Sequence, residues 1–254
     1  MSDPNSWAPN TEQFELGDGE AHVWRAHLNC DEAVLHRLEA TLTSDEKARA
    51  SCFHFPRDRN SFVAARGVLR ELLGRYLGRA PANLEFDYGP QGKPSLRAEF
   101  HERLVQFNVS HSHSLALFAF AVGRNLGVDV ELIRPEFAAD EIAERYFSPR
   151  EVMELRGLPP SLRVEAFFLC WTRKEAYIKA RGEGLHIPLA SFHVSLTPGQ
   201  PERLESADRL HWSLHSLRPD PRYVGALVGE GRGWRFRQWD WKPSDSRAST
   251  IPSL

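Results

Sequence analysis

Trp171-Thr172-Arg173-Lys174-Glu175-Ala176-Tyr177-Ile178-Lys179 is the stretch on which the reading of this chain turns. It lies inside a helical pattern that runs from about Leu162 to Ala180 and is stopped by Gly182 and Gly184, since glycine adopts the left-handed backbone that ends helices. Trp171, Glu175 and Lys179 are spaced i, i+4, i+8 and share one stripe of that helix. Phe167, Phe168, Trp171 and Ile178 mark the helix as largely buried. A glutamate and a lysine on the tryptophan side of such a helix need partners. An ordinary surface Glu–Lys pair has the same spacing, and so would a carboxylate and an ammonium serving phosphate and metal.

Upstream, Gly127-Val128-Asp129-Val130-Glu131 alternates as a strand. Both valines then enter a core while Asp129 and Glu131 share the opposite face. Two carboxylates on one face repel unless a cation or water separates them; a solvated strand face is the bland account. Before that, Phe107-Asn108-Val109-Ser110-His111-Ser112-His113-Ser114 carries six polar side chains directly ahead of the apolar run Leu115 to Val122. Such a cluster offers donors to an anion, or simply makes a polar turn. No Gly-x-Ser-x-Gly elbow surrounds the Ser-His pair, and His111 and His113 lack a third zinc ligand placed by spacing. A basic set completes the picture: Arg49, Arg59, Arg66, Arg70 and Lys93. Arg59, Arg66 and Arg70 fall on one helix face, where surface arginines are common. Lys93 sits in a Gly-rich loop that can present backbone N–H groups and an ammonium together.

The remaining signals mix helix and strand without a strict βαβ rhythm. Thr43 and Glu46 have capping-box spacing and start a helix to about Phe53. After Pro56, Phe62, Val63, Leu69, Leu72, Leu73 and Leu77 recur at helical spacing. Ser148-Pro149-Arg150-Glu151 is a second helix start. Strands are expected at 22–28, 106–110, 115–122 and 127–132, then at 192–196, 212–217, 223–228 and 234–239. Helices precede strands in each half, which gives an α+β fold. The halves are expected at 13–125 and 126–242, with flexible tails at 1–12 and 243–254.

With 41% apolar and 26% charged residues among 254, the composition is that of a globular protein. A net charge of −2 argues against broad electrostatic binding to nucleic acid or membrane. Cys30, Cys52 and Cys170 are odd in number and far apart, so neither a disulfide framework nor a zinc knuckle is supported. The N-terminus lacks the pattern of a signal peptide, and the eight-residue run Leu115 to Val122 falls far short of the ~20 that a membrane helix needs. A cytoplasmic location is expected.

Taken in order, these motifs resemble those of the Sfp-type (surfactin-type) 4′-phosphopantetheinyl transferases. The resemblance rests on Gly92-Lys93-Pro94, Phe107 to Ser112, Gly127 to Glu131, Phe147-Ser148, Trp171 to Lys179 and Gly182-Glu183-Gly184-Leu185, and covers about Thr43 to Ser195. It implies an α+β pseudo-dimer of two similar halves with the active site in the cleft between them, working as a monomer. It also implies transfer of the phosphopantetheine arm of coenzyme A to a serine of an apo acyl or peptidyl carrier protein, as in fatty-acid, polyketide and nonribosomal peptide synthesis. By motif match, Asp129, Glu131 and Glu175 would hold Mg²⁺, a metal that prefers a few carboxylates plus phosphate oxygens and water. Arg49, Arg66, Lys93, Ser110, His111, Lys174 and Lys179 would bind coenzyme A, with Glu175 and Lys179 catalytic. Two other classes remain open: a different metal-dependent phosphate-ester enzyme, such as a nucleotide hydrolase, and a non-catalytic carrier-binding module.

Overall fold

The computed structural model describes residues 6–9, 15–89, 94–97, 104–137, 139–182, 187–208 and 211–243. In chain order the elements are β1 (Ala8–Pro9), β2 (Glu20–His27), α1 (Glu32–Ala40), α2 (Ser44–Ser51), α3 (Pro56–Leu77), β3 (Phe86–Tyr88), β4 (Pro94–Leu96), β5 (Val105–Ser112), β6 (Leu115–Val122) and β7 (Leu126–Leu132). There follow α4 (Ala139–Tyr146), α5 (Pro149–Gly157), α6 (Pro160–Arg181), β8 (His193–Val194), β9 (Leu204–Glu205), β10 (Trp212–Asp220), β11 (Tyr223–Glu230) and β12 (Arg235–Asp240). The fold is α+β, as expected.

Two sheets carry the architecture. One has the order β1-β12-β2-β6-β5, the other β10-β11-β7. The uninterrupted apolar run of β6 is explained by its place, because both of its faces are covered. Ala116, Phe118 and Phe120 pack with Trp24 and with Val68, Leu69, Leu72 and Leu73 of α3. Leu115, Leu117, Ala119 and Ala121 face the other way and meet Val128, Val130 and Leu227 of the second sheet. On that sheet's far side, Val224, Ala226 and Val228 pack with Phe167, Ala176 and Ile178 of α6. The order of layers is therefore α3, sheet, sheet, α6. The two flanking helices match in detail: each has 22 residues, begins on a proline and ends at a left-handed glycine, Gly78 or Gly182. This repetition gives the two halves their likeness.

The helix starts follow the capping signals. Glu46 reaches back to accept from Thr43 N, and Glu151 does the same to Ser148 N. The expected division of the chain needs correction at both ends. β12, inside the stretch 126–242 assigned to the second half, pairs in parallel with β2 of the first half, and Trp239 stacks on Trp24 at 5.0 Å. Within the stretch 1–12 expected to be a tail, Ala8 and Pro9 pair with Trp239 and Asp240. β12 is thus wedged between β1 and β2.

Candidate active site

The two sheets meet along β5 and β7, the end strand of each, and the joint is made by side chains. Asn108 Oδ1 accepts from Val128 N at 2.9 Å, Ser110 Oγ donates to Asp129 Oδ1 at 2.8 Å, and Ser112 Oγ donates to Glu131 Oε2 at 2.7 Å. These residues alternate on β5, so one edge of the strand stitches to β7 at every second position. Asp129 and Glu131 are thereby held on the seam between the halves.

α6 reaches the same seam because the second residue of β7 is a glycine, Gly127. A Cβ at Gly127 would collide with Ala176 O and Ala180 N of the helix backbone. Only glycine permits that approach, and it sets Glu175 and Lys179 beside the β7 carboxylates. Lys179 Nζ donates to Asp129 Oδ1 at 2.7 Å and to Ser110 Oγ at 3.0 Å. Between Ala166 and Ala180 of α6, Trp171, Glu175 and Lys179 are the half-buried stripe and the other residues are buried. Trp171 is half-buried rather than fully so, against Tyr146 and Phe167.

Charge is unbalanced here. Burial first, and Asp129 second, raise the Glu175 carboxyl pKa, against the lowering pull of Lys179; Glu131 raises it further. Burial likewise raises the pKa of Glu131, and the Ser112 hydrogen bond only partly offsets it. Asp129 Oδ2 is buried with no hydrogen-bond partner. Three carboxylates with one nearby ammonium and an orphaned oxygen fit a divalent cation. Among the described residues no group of three or more His, Cys, Asp or Glu side chains is gathered closely enough to hold a metal ion by itself. Mg²⁺ shares its shell with phosphate oxygens and water and takes only a few carboxylates from a protein.

On the other side of β5, Val109, His111 and His113 line a pocket of ≈ 650 Å³ together with Arg49, Phe62 and Arg66. Arg49 and Arg66 lie over the Phe62 ring at 5.5 and 5.8 Å. Arg66 is buried, its Nη1 has no hydrogen-bond partner, and desolvation lowers its pKa. Desolvation by the pocket walls, then the Lys179 charge, lower the pKa of His111. The basic pocket and the acidic seam therefore stand on opposite sides of one strand.

The structure brings together Arg49, Arg66 and His111 in the pocket, and Ser110, Asp129, Glu131, Glu175 and Lys179 at the seam. Ser110 faces the acids instead of the pocket. Lys174 is corrected: it is fully buried, with Nζ 2.8 Å from Glu151 Oε2 and donating to Leu189 O and Phe192 O. It is a fold-holding ion pair, closed to any ligand. Arg59 and Arg70 are likewise engaged, with Glu39 and with Glu46, Pro81 O and Leu84 O. Lys93 lies outside the described residues, although its neighbour Pro94 lines the pocket. The sequence reading missed His113 as a pocket residue, though it follows His111 by two residues in the turn after β5.

The description "4′-phosphopantetheinyl transferase, N-terminal" matches residues 27–122, and "4′-phosphopantetheinyl transferase superfamily" matches residues 125–228. The chain belongs to the 4′-phosphopantetheinyl transferase superfamily. It is similar to the 4′-phosphopantetheinyl transferase HetI of Nostoc sp., at 43% identity over 93% of this chain and 99% of that protein. It is also similar to the transferase gsp of Aneurinibacillus migulanus, at 35% identity over 65% of this chain and 66% of the relative. The transferase Sfp of Bacillus subtilis is 27% identical over 63% of this chain and 69% of its own.

Proposed function

We propose that this chain transfers the 4′-phosphopantetheine of coenzyme A to a serine of an apo carrier protein and releases 3′,5′-ADP. The observation that carries the reading is the adjacency, across β5, of a basic pocket (Arg49, Arg66, His111) and an acidic seam ending in Lys179. A dianionic phosphate and adenosine suit the pocket, and a pyrophosphate suits the seam once its carboxylates are neutralised. Arg66 supports this most directly, as a buried guanidinium with a vacant donor beside the pocket. Lys93 would join from the segment linking β3 to β4.

Asp129, Glu131 and Glu175 would hold Mg²⁺, which supplies charge neutralisation on the pyrophosphate when bound. The carrier serine oxygen forms a bond to the β-phosphorus while the phosphorus–oxygen bond to 3′,5′-ADP breaks. Glu175 takes the serine proton. Lys179, now paired with Asp129, turns its ammonium to the departing phosphate. Ser110 positions Asp129 and Lys179 through its bonds to both. A single chain supplies both halves, which supports action as a monomer; no helix among the described residues is long and apolar enough to cross a membrane.

The test is direct. The protein is incubated with coenzyme A, Mg²⁺ and an apo acyl carrier protein, and the carrier is weighed by intact mass. A gain of one phosphopantetheine supports the reading, and an unmodified carrier beside hydrolysed coenzyme A would point to a phosphate-ester hydrolase.

A further inference from the structure

The turn between β5 and β6 holds a residue whose backbone asks for one amino acid and whose sequence supplies another. Ser112 pairs with Leu115, so His113 and Ser114 form a two-residue hairpin loop. His113 has φ +53° while Ser114 is not among the positive-φ residues. A positive φ at the first loop position is a backbone that glycine adopts without strain. Among the described residues, Leu104 and His113 are the non-glycine residues in this region of backbone space, and left-handed non-glycine residues gather at functional sites.

The turn has no structural need for an imidazole. Its backbone is anchored independently, with Leu28 N donating to Ser114 O at 2.8 Å. The one side-chain contact, His113 Nδ1 to Ser112 Oγ, is long at 3.4 Å, and that hydroxyl already serves Glu131. What the ring does is line the basic pocket. It lines the same pocket as His111, two residues beyond it in the turn that follows β5, with Arg49 and Arg66 on the walls.

We propose that His113 is a specificity-determining residue that contacts the 3′-phosphate of coenzyme A as a second imidazole beside His111. The proposal rests on the coenzyme A reading of the pocket. A phosphomonoester presents three oxygens and takes several donors at once, and two imidazoles lining one pocket, His111 near the end of β5 and His113 in the turn after it, can flank it. The strained backbone is then the cost of bringing the second imidazole to that place.

Calorimetric titration of the intact protein with coenzyme A and with 3′-dephospho-coenzyme A tests this, in wild type, His113→Gly and His113→Asn. Glycine relieves the backbone and removes the ring, while asparagine tolerates the left-handed backbone but carries no imidazole. Both variants should bind coenzyme A roughly five- to twenty-fold more weakly, the scale of one charge-assisted contact. Dephospho-coenzyme A should bind all three proteins alike. The melting temperature of His113→Gly should be unchanged or raised, and its transfer defect should lie in KM for coenzyme A. Unchanged affinity of His113→Gly for coenzyme A would overturn the proposal. So would an equal loss for both ligands, which would put the ring against another part of the molecule. If the wild type itself failed to distinguish the two ligands, the coenzyme A reading of the pocket would fall instead.

Discussion

Replacing Lys174 by methionine distinguishes a lysine that holds the fold from one that holds a ligand. Lys174 and Glu151 are both 0% exposed. Nζ uses all three of its hydrogens, on Glu151 Oε2, Leu189 O and Phe192 O, each 2.8 Å away. Methionine keeps most of the stem, so little cavity opens and the loss is that of the charge and its bonds. Glu151 is left with two backbone donors, Ser148 N and Val194 N, and without its ammonium. Removing one partner of such a buried pair costs about 3–5 kcal/mol. At about 2 °C per kcal/mol for a chain of this length, the midpoint of melting should fall by roughly 6–10 °C. Adding Glu151→Gln to Lys174→Met should recover part of the loss, because an amide strands no charge. The assay is thermal unfolding followed by circular dichroism, run beside calorimetric titration with coenzyme A. The folded fraction of Lys174→Met should bind coenzyme A as wild type does. Near wild-type stability together with binding weakened tenfold would refute the reasoning and return Lys174 to the ligand.

The seam should fail in two distinguishable ways: Lys179→Ala should slow single-turnover transfer on the order of 10²-fold, with no rescue by added Mg²⁺, whereas Glu175→Gln should be partly rescued across the same titration. Rates within a few-fold of wild type for both would leave them a surface pair. Gly127→Ala should cost about 1–3 kcal/mol by urea unfolding, since its methyl meets the α6 backbone, and the folded fraction should lose transfer activity as Glu175 and Lys179 move off the seam. His22 gives the pH dependence: desolvation by burial, against the pull of Glu20, lowers its pKa from 6.5 to about 4. The unfolded chain therefore takes up the proton first as pH falls, so stability declines from about pH 6.5 down to about pH 4, by about 3 kcal/mol in all. Urea midpoints at pH 7 and pH 4.5 should drop further in wild type than in His22→Gln, and equal drops would refute the assignment.

Much of the fold was legible because single-strand and single-helix physics decides it. The apolar run of β6 announced a strand, and the two capping boxes fixed where α2 and α5 begin. The acidic and basic ends of the seam were legible too, since period two puts Asp129 with Glu131 and the i, i+4 rule puts Glu175 with Lys179. Lys174 was readable against its assignment. One residue before Glu175 lies about 100° around the helix, away from the open stripe and towards Glu151. A motif treated as a block hides that rotation. The return of β12 to β2 was not legible, because a parallel pair so far apart in sequence leaves no local pattern.

The polar segment Asn108 to Ser114 shows where period two and tertiary contact must be combined. Read as one cluster it offered donors to an anion, yet alternation divides it into two sets with different partners. Asn108, Ser110 and Ser112 turn to β7 and satisfy a backbone N–H and two carboxylates. Val109, His111 and His113 turn to the pocket. From Asn108 to Ser112 the division follows from the strand alone, while His113 reaches the pocket from the turn after it. The partner of the first set does not follow from the strand, because β5 and β7 belong to different sheets, and side chains make this joint in place of a ladder of backbone bonds. Joining the halves through serine hydroxyls has a chemical consequence. The groups that hold the two sheets together also fix Asp129 and Glu131, so a substitution at Ser110 should disturb the acids at once, while one at His111 should disturb only the pocket.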